Sequence, residues 1–382
     1  MRKLVYIPNA KIHACKRIYT KNRFRSQKVR KSENEKRNGR TRIMAQYEVN
    51  IDAANVTKQE MAGIMKTENP HILNRAGSFS ALYDISDGKW KTPVLVLKTE
   101  EPGSKQYIAA QYNHLESVCK DMINHLINDC IVMGATPLSI QDAIICGKLE
   151  QSAINRMVRA MKEVCDENGC ILTGGETSEQ PGILDPDKYI FTSSIVGIVE
   201  RDRIIDGSKI CEGDLVLGLQ SSGIHTNGYT LVRTIMKEHP EILEERFDRN
   251  SFVEEILIPH RCYYNALKEL FDPNIIHGMA HITGGGIREN LNRILPSDLD
   301  AVIDLRQYEI LPIFKLLRKV GNISDEEMLR VFNLGIGMVL VVKPSQEQNI
   351  RTHVERHGIP CKIIGHVQKG SQKVRTEGSL QW

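Results

Sequence analysis

Residues 151–182 read QSAINRMVRAMKEVCDENGCILTGGETSEQPG, and this stretch sets the class of fold. Ile154, Met157, Val158, Met161 and Val164 recur at three- and four-residue steps, which places them on one face of a helix. Gly169 supplies the stop, because glycine accepts the left-handed backbone that ends many helices. Ile171 and Leu172 then open a strand that empties into Gly174, Gly175, Glu176 and Thr177. A helix, a strand and a glycine-rich loop are the alternating parts of α/β proteins, whose ligand loops lie at strand ends.

The alternation extends in both directions. Upstream, PVLVL (93–97) is β-branched and short, as a buried strand is. In ESVCKDMINHLINDCIVMG (116–134), Val118, Met122, Leu126, Cys130 and Met133 mark a helix stopped by Gly134, and LSIQDAIIC (138–146) reads as a strand. Downstream come the strand YIFTSSIVGIVE (189–200) and the turn-forming RDRIIDGSKICEGD (201–214), which suits a domain boundary. Past it follow DLVLGLQ (214–220), a helix from Asn227, HGMAHI (277–282), a helix from Gly286, and VFNLGIGMVLVV (331–342). The spacing leaves open whether each sheet is parallel or mixed. The expected organisation is a basic extension (1–43), a peripheral arm (44–77) with a helical pattern at Val56, Met61 and Met65, an N-terminal domain (78–206), a C-terminal domain (207–370) and a tail (371–382).

Composition narrows the class. The 382 residues are 41% hydrophobic and 26% charged, as in ordinary globular proteins, and apolar runs such as MVLVV (338–342) are too short to span a membrane. The nine cysteines are scattered without a CxxC pair, so neither a zinc site nor a disulfide framework is indicated, and a reducing, cytoplasmic setting is expected. Residues 1–44 hold 15 Lys+Arg against 2 Glu, so the net charge of +4 leaves −9 for the remainder. Such a segment suits a nucleic-acid arm, a targeting peptide, or translated sequence upstream of an initiator at Met44, and is expected to be disordered.

Five segments carry the chemistry. In TEEPGSK (99–105), Gly103 lets the backbone approach an anion, Ser104 offers a hydroxyl, Lys105 a mobile cation, and Glu100 a carboxylate for phosphate-bound magnesium. Read alone, it is also a solvated acidic turn. INDC (127–130) sets Asn128 and Asp129 on a helix, either as a surface pair or as a second magnesium ligand beside a nucleotide contact. LTGGETSEQPG (172–182) frees backbone N–H groups at Gly174 and Gly175 for a phosphate and adds Glu176 and Thr177 for a metal–phosphate pair, unless the glycines serve only a tight turn. SSGIHTNGYTLVR (221–233) places His225 beside Thr226 and Asn227, which could donate to a phosphate or cap the following helix. AHITGGGIRENL (280–291) puts Gly284, Gly285 and Gly286 at a helix start, where anions bind. No GxxxxGK[ST], GxGxxG with a downstream acid, GxSxG or HExxH occurs, which removes the commonest nucleotide-binding and hydrolase classes.

In order and spacing these loops resemble the family that contains aminoimidazole ribonucleotide synthetase (phosphoribosylformylglycinamidine cyclo-ligase), selenophosphate synthetase, thiamine-phosphate kinase and an amidotransferase of purine synthesis. They are most similar to the first. The matching strings are SFSALYDI (78–85), GATPLSIQDAIICGKL (134–149), LTGGETSEQPG (172–182), IIDGSKICEGD (204–214), SSGIHTNGYTLVR (221–233), AHITGGGIRENLNRILP (280–296) and FNLGIGM (332–338). The resemblance implies two α/β domains and a homodimer whose N-terminal domains form a strand barrel, with ATP and Mg2+ near that interface. It also implies ATP-dependent closure of formylglycinamidine ribonucleotide to aminoimidazole ribonucleotide, ADP and phosphate, through a phosphorylated amide. On this basis Glu100, Asp129 and Glu176 are expected to hold magnesium, and Lys105 the phosphate charge. His225 and Asn227 would face the transferred phosphoryl group or substrate amide, and Gly284, Gly285 and Gly286 the substrate 5′-phosphate. Where the family commonly reads Asp-Gly-Val-Gly-Thr-Lys, this chain has Glu100, Glu101, Pro102, Gly103, Ser104 and Lys105, which alters the expected metal geometry. The alternatives are a paralogue phosphorylating another amide or acid, and a nucleotide-binding regulator without turnover.

Overall fold

The computed structural model describes residues 51–74 and 80–382. The basic segment 1–43, with the nucleic-acid and targeting roles considered for it, lies outside the described residues. Strands β1 (Pro93–Glu100), β2 (Thr136–Cys146), β3 (Ile171–Glu179) and β4 (Tyr189–Glu200) form a mixed sheet in the order β1-β4-β2-β3, parallel only between β2 and β3. The helices of this half are α1 (Ile51–Ile64), α2 (Lys105–Gln111), α3 (Leu115–Ile131) and α4 (Gln151–Glu167). Val118, Met122 and Leu126 of α3 join Ile154, Met157 and Met161 of α4 over Ile140, Ile144, Phe191 and Ile195 of the sheet, all buried. Burial of these apolar stripes, at roughly 25 cal/mol per Å², drives the layer together.

Among the described residues, only one face of this sheet is covered. The apolar run at 93–97 reads as a buried strand, yet β1 is an edge strand on which Leu95 is 51% and Leu97 69% exposed, while alternate residues turn toward α3. Two further expectations change. The glycines of LTGGET do not end a strand, because β3 continues through them to Glu179, paired with β2 across a register shift at Ile140/Gln141. The arm is not peripheral, because α1 packs on α4 and Met61 is buried, its sulfur 3.7 Å from Thr177 Oγ1.

The second half holds a six-stranded sheet. Its strands are β5 (Leu215–Gln220), β8 (Ile276–His281), β9 (Leu299–Asp304), β10 (Ile336–Val342), β11 (Cys361–Lys369) and β12 (Val374–Glu377), with β6 (Arg246–Phe247) and β7 (Asn250–Ser251) pairing as a separate short hairpin. The order is β12-β9-β11-β5-β10-β8, antiparallel except at β12 and β9. Its helices are α5 (Tyr229–Glu238), α6 (Phe252–Ile256), α7 (Tyr264–Leu267), α8 (Gly286–Asn292), α9 (Pro312–Gly321), α10 (Asp325–Val331) and α11 (Glu347–Arg356). The segment expected as a tail supplies β12, and Trp382 donates to Asp325 at 3.0 Å beneath the Arg318 guanidinium.

One close approach fixes how α3 sits on its sheet. A Cβ on Gly197 would lie 2.2 Å from Cys130 Sγ, so β4 must carry glycine there. Gly197→Ala is expected to lower stability by about 1–3 kcal/mol through overpacking. Combining it with Cys130→Ala should recover most of that loss in a chemical denaturation cycle.

Candidate active site

Helix α3 has a second, polar stripe opposite its apolar one. Ser117, Asp121, Asn124 and Asn128 follow one another at three- and four-residue steps and reach across to residues 257–263 of the second half. Ser117 Oγ donates to the Leu257 carbonyl, and Asn124 Nδ2 to the His260 carbonyl at 2.7 Å. Asn128 donates to the Arg261 carbonyl at 2.8 Å and accepts from the Tyr263 N–H at 3.0 Å. Asn128, expected beside a nucleotide, is therefore a fully buried pin between the two halves.

Lys105 also differs from the expected mobile cation. It is wholly buried, and its ammonium donates to Asp121 Oδ1 and to the carbonyls of His225 and Ile258, each at 3.0 Å, with Asp121 Oδ2 2.8 Å away in the same ion pair. All of its donors are spent within the protein. Burial pulls the Lys105 ammonium below its ordinary range and pushes the Asp121 carboxyl up, while their mutual attraction opposes both shifts.

Glu100 and Asp129 do come together. Both meet the ammonium of Lys98, with Glu100 Oε1 at 2.6 Å and Asp129 Oδ2 at 3.2 Å. His125 Nε2 lies 3.5 Å from Asp129 Oδ2 and 3.9 Å from Glu100 Oε1, and His281 Nδ1 lies 2.7 Å from Asp129 Oδ1. Burial alone would raise the Asp129 carboxyl, but the hydrogen bonds from His125 and His281 hold it far below the ordinary carboxylate range.

Behind this group four histidines close up. His260 Nε2 is 2.8 Å from His281 Nε2, and the His225 and His260 rings stack at 3.8 Å. His125 Nδ1 bonds Thr226 Oγ1 at 3.0 Å. His225 has φ +66°, a left-handed backbone unusual for a side-chain residue and consistent with a functional loop. The Ser222 N–H donates to His225 Nε2 at 3.1 Å, so the proton of the neutral ring lies on Nδ1, a buried donor without a protein partner. Burial holds His225 and His260 well below the ordinary histidine range and keeps both rings neutral. Neither Thr226 nor Asn227 caps α5, whose N-cap is Gly228 at φ +87°.

Glu176 stands apart from the other two expected magnesium ligands. The register puts it opposite Ala143, on the open face of the first sheet, whereas Lys98 and Glu100 face α3. It lines a cleft of about 440 Å³ with Ser80, Gln141, Gly174, Thr192 and Ser194. Gly175 makes room for Asp142, since a Cβ there would lie 2.5 Å from Asp142 Oδ1. Asp142 is 4% exposed, neither carboxylate oxygen has a partner among the described residues, and burial pushes its carboxyl up to about 7. Asp142 escaped the sequence reading; the available signal was a lone carboxylate within the apolar run LSIQDAIIC. The three carboxylates Glu100, Asp129 and Glu176 thus do not form one magnesium site within a single chain.

The remaining glycine loops serve packing as well as access. Gly103 has φ +64° and its N–H donates to the Glu101 carboxylate at 3.1 Å, and Ser104 opens α2 without a side-chain cap. A Cβ on Gly286 would lie 1.9 Å from the Leu329 carbonyl oxygen, and one on Gly285 would lie 2.3 Å from the Glu289 carboxylate. That carboxylate beside the start of α8 disfavours an anion at Gly285. Gly284 lies next to the Asn227 side chain, with 3.2 Å between its would-be Cβ and Asn227 Oδ1.

The two sheets coincide with the two domains of a known class. Residues 80–199 match the N-terminal domain of AIR synthase related proteins and residues 212–377 their C-terminal domain. Among solved structures, the fold is similar to that of HypE from E. coli, a hydrogenase maturation protein (TM-score 0.61, 16% identity, 85% of this chain and 94% of that one). It is also similar to thiamine-monophosphate kinase from Stenotrophomonas maltophilia (TM-score 0.58, 16% identity, 87% and 96%). Within the class the sequence is more specific. It is 38% identical over 335 residues to a phosphoribosylformylglycinamidine cyclo-ligase of Bacillus mycoides, covering 87% of this chain and 96% of that one. The corresponding protein of Geobacillus kaustophilus is 40% identical over 311 residues, covering 81% and 90%. The chain belongs to the phosphoribosylformylglycinamidine cyclo-ligase family.

Asp142 supplies a pH test. Its folded-state carboxyl titrates near 7 and the unfolded one near 3.8, so the folded state holds the proton more tightly and loses stability as pH rises between those values. Asp142→Asn should flatten the melting-temperature profile between about pH 4 and 7 and raise the melting temperature above pH 7. A variant that melts lower than the parent at pH 8 would show that the carboxylate has a stabilising partner.

Proposed function

We propose that this chain is an ATP-dependent cyclo-ligase that converts formylglycinamidine ribonucleotide and ATP to aminoimidazole ribonucleotide, ADP and phosphate. The observation that carries this reading is the 38% identity spanning 96% of a relative of that name. The neutral, buried Nδ1–H donor of His225 is the geometric feature that suits it. In this reading ATP passes its γ-phosphoryl group to the formyl oxygen, and the amide nitrogen gives up its proton. The amidine nitrogen then attacks the activated carbon, the C–O bond breaks, and phosphate departs with the former formyl oxygen as the ring nitrogen loses a proton. His225 Nδ1–H would donate to the oxygen on which charge builds, and Asn227 would orient the amide. Lys105 acts as a positioning residue, holding the His225 carbonyl rather than a phosphate.

The nucleotide is assigned to the cleft at Gly174 and Glu176, with Thr177 on the adjoining edge. Magnesium would enter with the nucleotide phosphates, with Glu176 as a carboxylate donor on that face. The substrate 5′-phosphate is placed near Gly284 and Asn227. A homodimer completes the reading: Leu95, Leu97 and Ile190 leave an apolar strip on the open sheet face that also bears Glu176, so a second copy closing a barrel there would wall the cleft. No described helix is long and apolar enough to cross a membrane, and a cytoplasmic setting is proposed with the biosynthetic role. The paralogue and regulator readings lack the support of the named relatives.

The test follows ADP and the aminoimidazole product together with the purified chain. Equal, substrate-dependent release of both is expected, and ATP binding without product would contradict the reading. His225→Phe should lower kcat by roughly 10²–10³-fold, the effect of removing one donor to a developing oxyanion. Leu97→Glu should convert dimer to monomer in light scattering.

A further inference from the structure

One group has a role that neither the fold nor the family reading supplies: the ammonium of Lys98. It projects from β1 toward α3 and is seated between Glu100 Oε1 at 2.6 Å and Asp129 Oδ2 at 3.2 Å, on the two carboxylates expected to hold a metal. His125 Nε2 stands within 3.5 Å and 3.9 Å of the same two oxygens, and His281 takes the other oxygen of Asp129 at 2.7 Å. A magnesium ion needs carboxylate oxygens at about 2.0–2.1 Å in a near-octahedral shell, with several waters retained. To enter here it would have to expel an ammonium whose charge the pair already neutralises.

An ammonium has three donors, and two are engaged. The Lys98 side chain is 38% exposed, so its remaining N–H can meet a ligand. Lys105 is 0% exposed with every donor bonded inside the protein, and cannot.

We propose that Lys98 is the resident cation of this site: tethered to β1, it takes the place of a divalent ion between Glu100 and Asp129. This is independent of the cyclo-ligase reading, and the carboxylate pair needs no metal of its own.

Manganese serves as the probe, with bound Mn2+ counted by electron paramagnetic resonance in the purified full chain without nucleotide. Lys98→Met should gain one Mn2+ per chain, tighter by on the order of tenfold or more than anything the parent binds there, since removing the ammonium exposes two uncompensated carboxylates. Lys98→Met/Asp129→Asn should lose it again. Equal number and affinity in parent and Lys98→Met would overturn the proposal. So would the loss of a bound Mn2+ from the parent on Asp129→Asn alone, because a metal would then already use the pair. Because the manganese count involves no substrate, its failure is distinct from failure to form aminoimidazole product.

Discussion

Lys105 and Asp121 form an ion pair from which water is wholly excluded, and the junction of the two halves is built around it. Removing two charges from water costs several kcal/mol per ion, so such a pair persists only when its hydrogen-bonding capacity is met by other groups. Here the ammonium also takes the carbonyls of His225 and Ile258, and Asp121 takes the His260 N–H at 2.6 Å. One cation thereby fixes the start of α2, the loop that carries His225, and the chain entering His260. The stacking of the two histidine rings follows from this anchorage.

With those segments fixed, α3 becomes the shared wall of the molecule. Its apolar stripe closes the core of the first sheet, and its polar stripe binds residues 257–263. The electrostatic consequence is a division of labour between two lysines. The buried one is structural, and the half-exposed Lys98 bridges the carboxylates of Glu100 and Asp129. His225, with its proton held on Nδ1 by Ser222, is a donor rather than a base.

The fold was legible where periodicity had one cause. The apolar residues of α3, α4 and β4 mark single buried faces, and those elements lie where the pattern places them. It was misleading at β1, where an apolar run with β-branched residues signals burial on both faces but the single chain covers one. The site was half legible. Glu100 and Asp129 meet as the family resemblance implies, but Glu176 falls on the opposite face, because β3 runs on through its glycines and strand alternation then decides where its side chains point. Lys105 was misread because nothing in TEEPGSK reveals Asp121, sixteen residues on, as its partner. The polar stripe at Ser117, Asp121, Asn124 and Asn128 was the overlooked signal. Its helical spacing marks a second contact face, and a lone Asp142 in an apolar strand marks a carboxylate with a purpose other than packing.

These features support chemistry that moves a phosphoryl group onto an amide oxygen and then lets that oxygen leave. The direct test is isotopic. Formylglycinamidine ribonucleotide labelled with 18O in its formyl group would be turned over with unlabelled ATP and the released phosphate examined by 31P NMR. The account predicts one 18O in each phosphate formed, carried there by the broken C–O bond. Unlabelled phosphate, with the 18O found in water, would show that ATP is hydrolysed apart from ring closure and would contradict it.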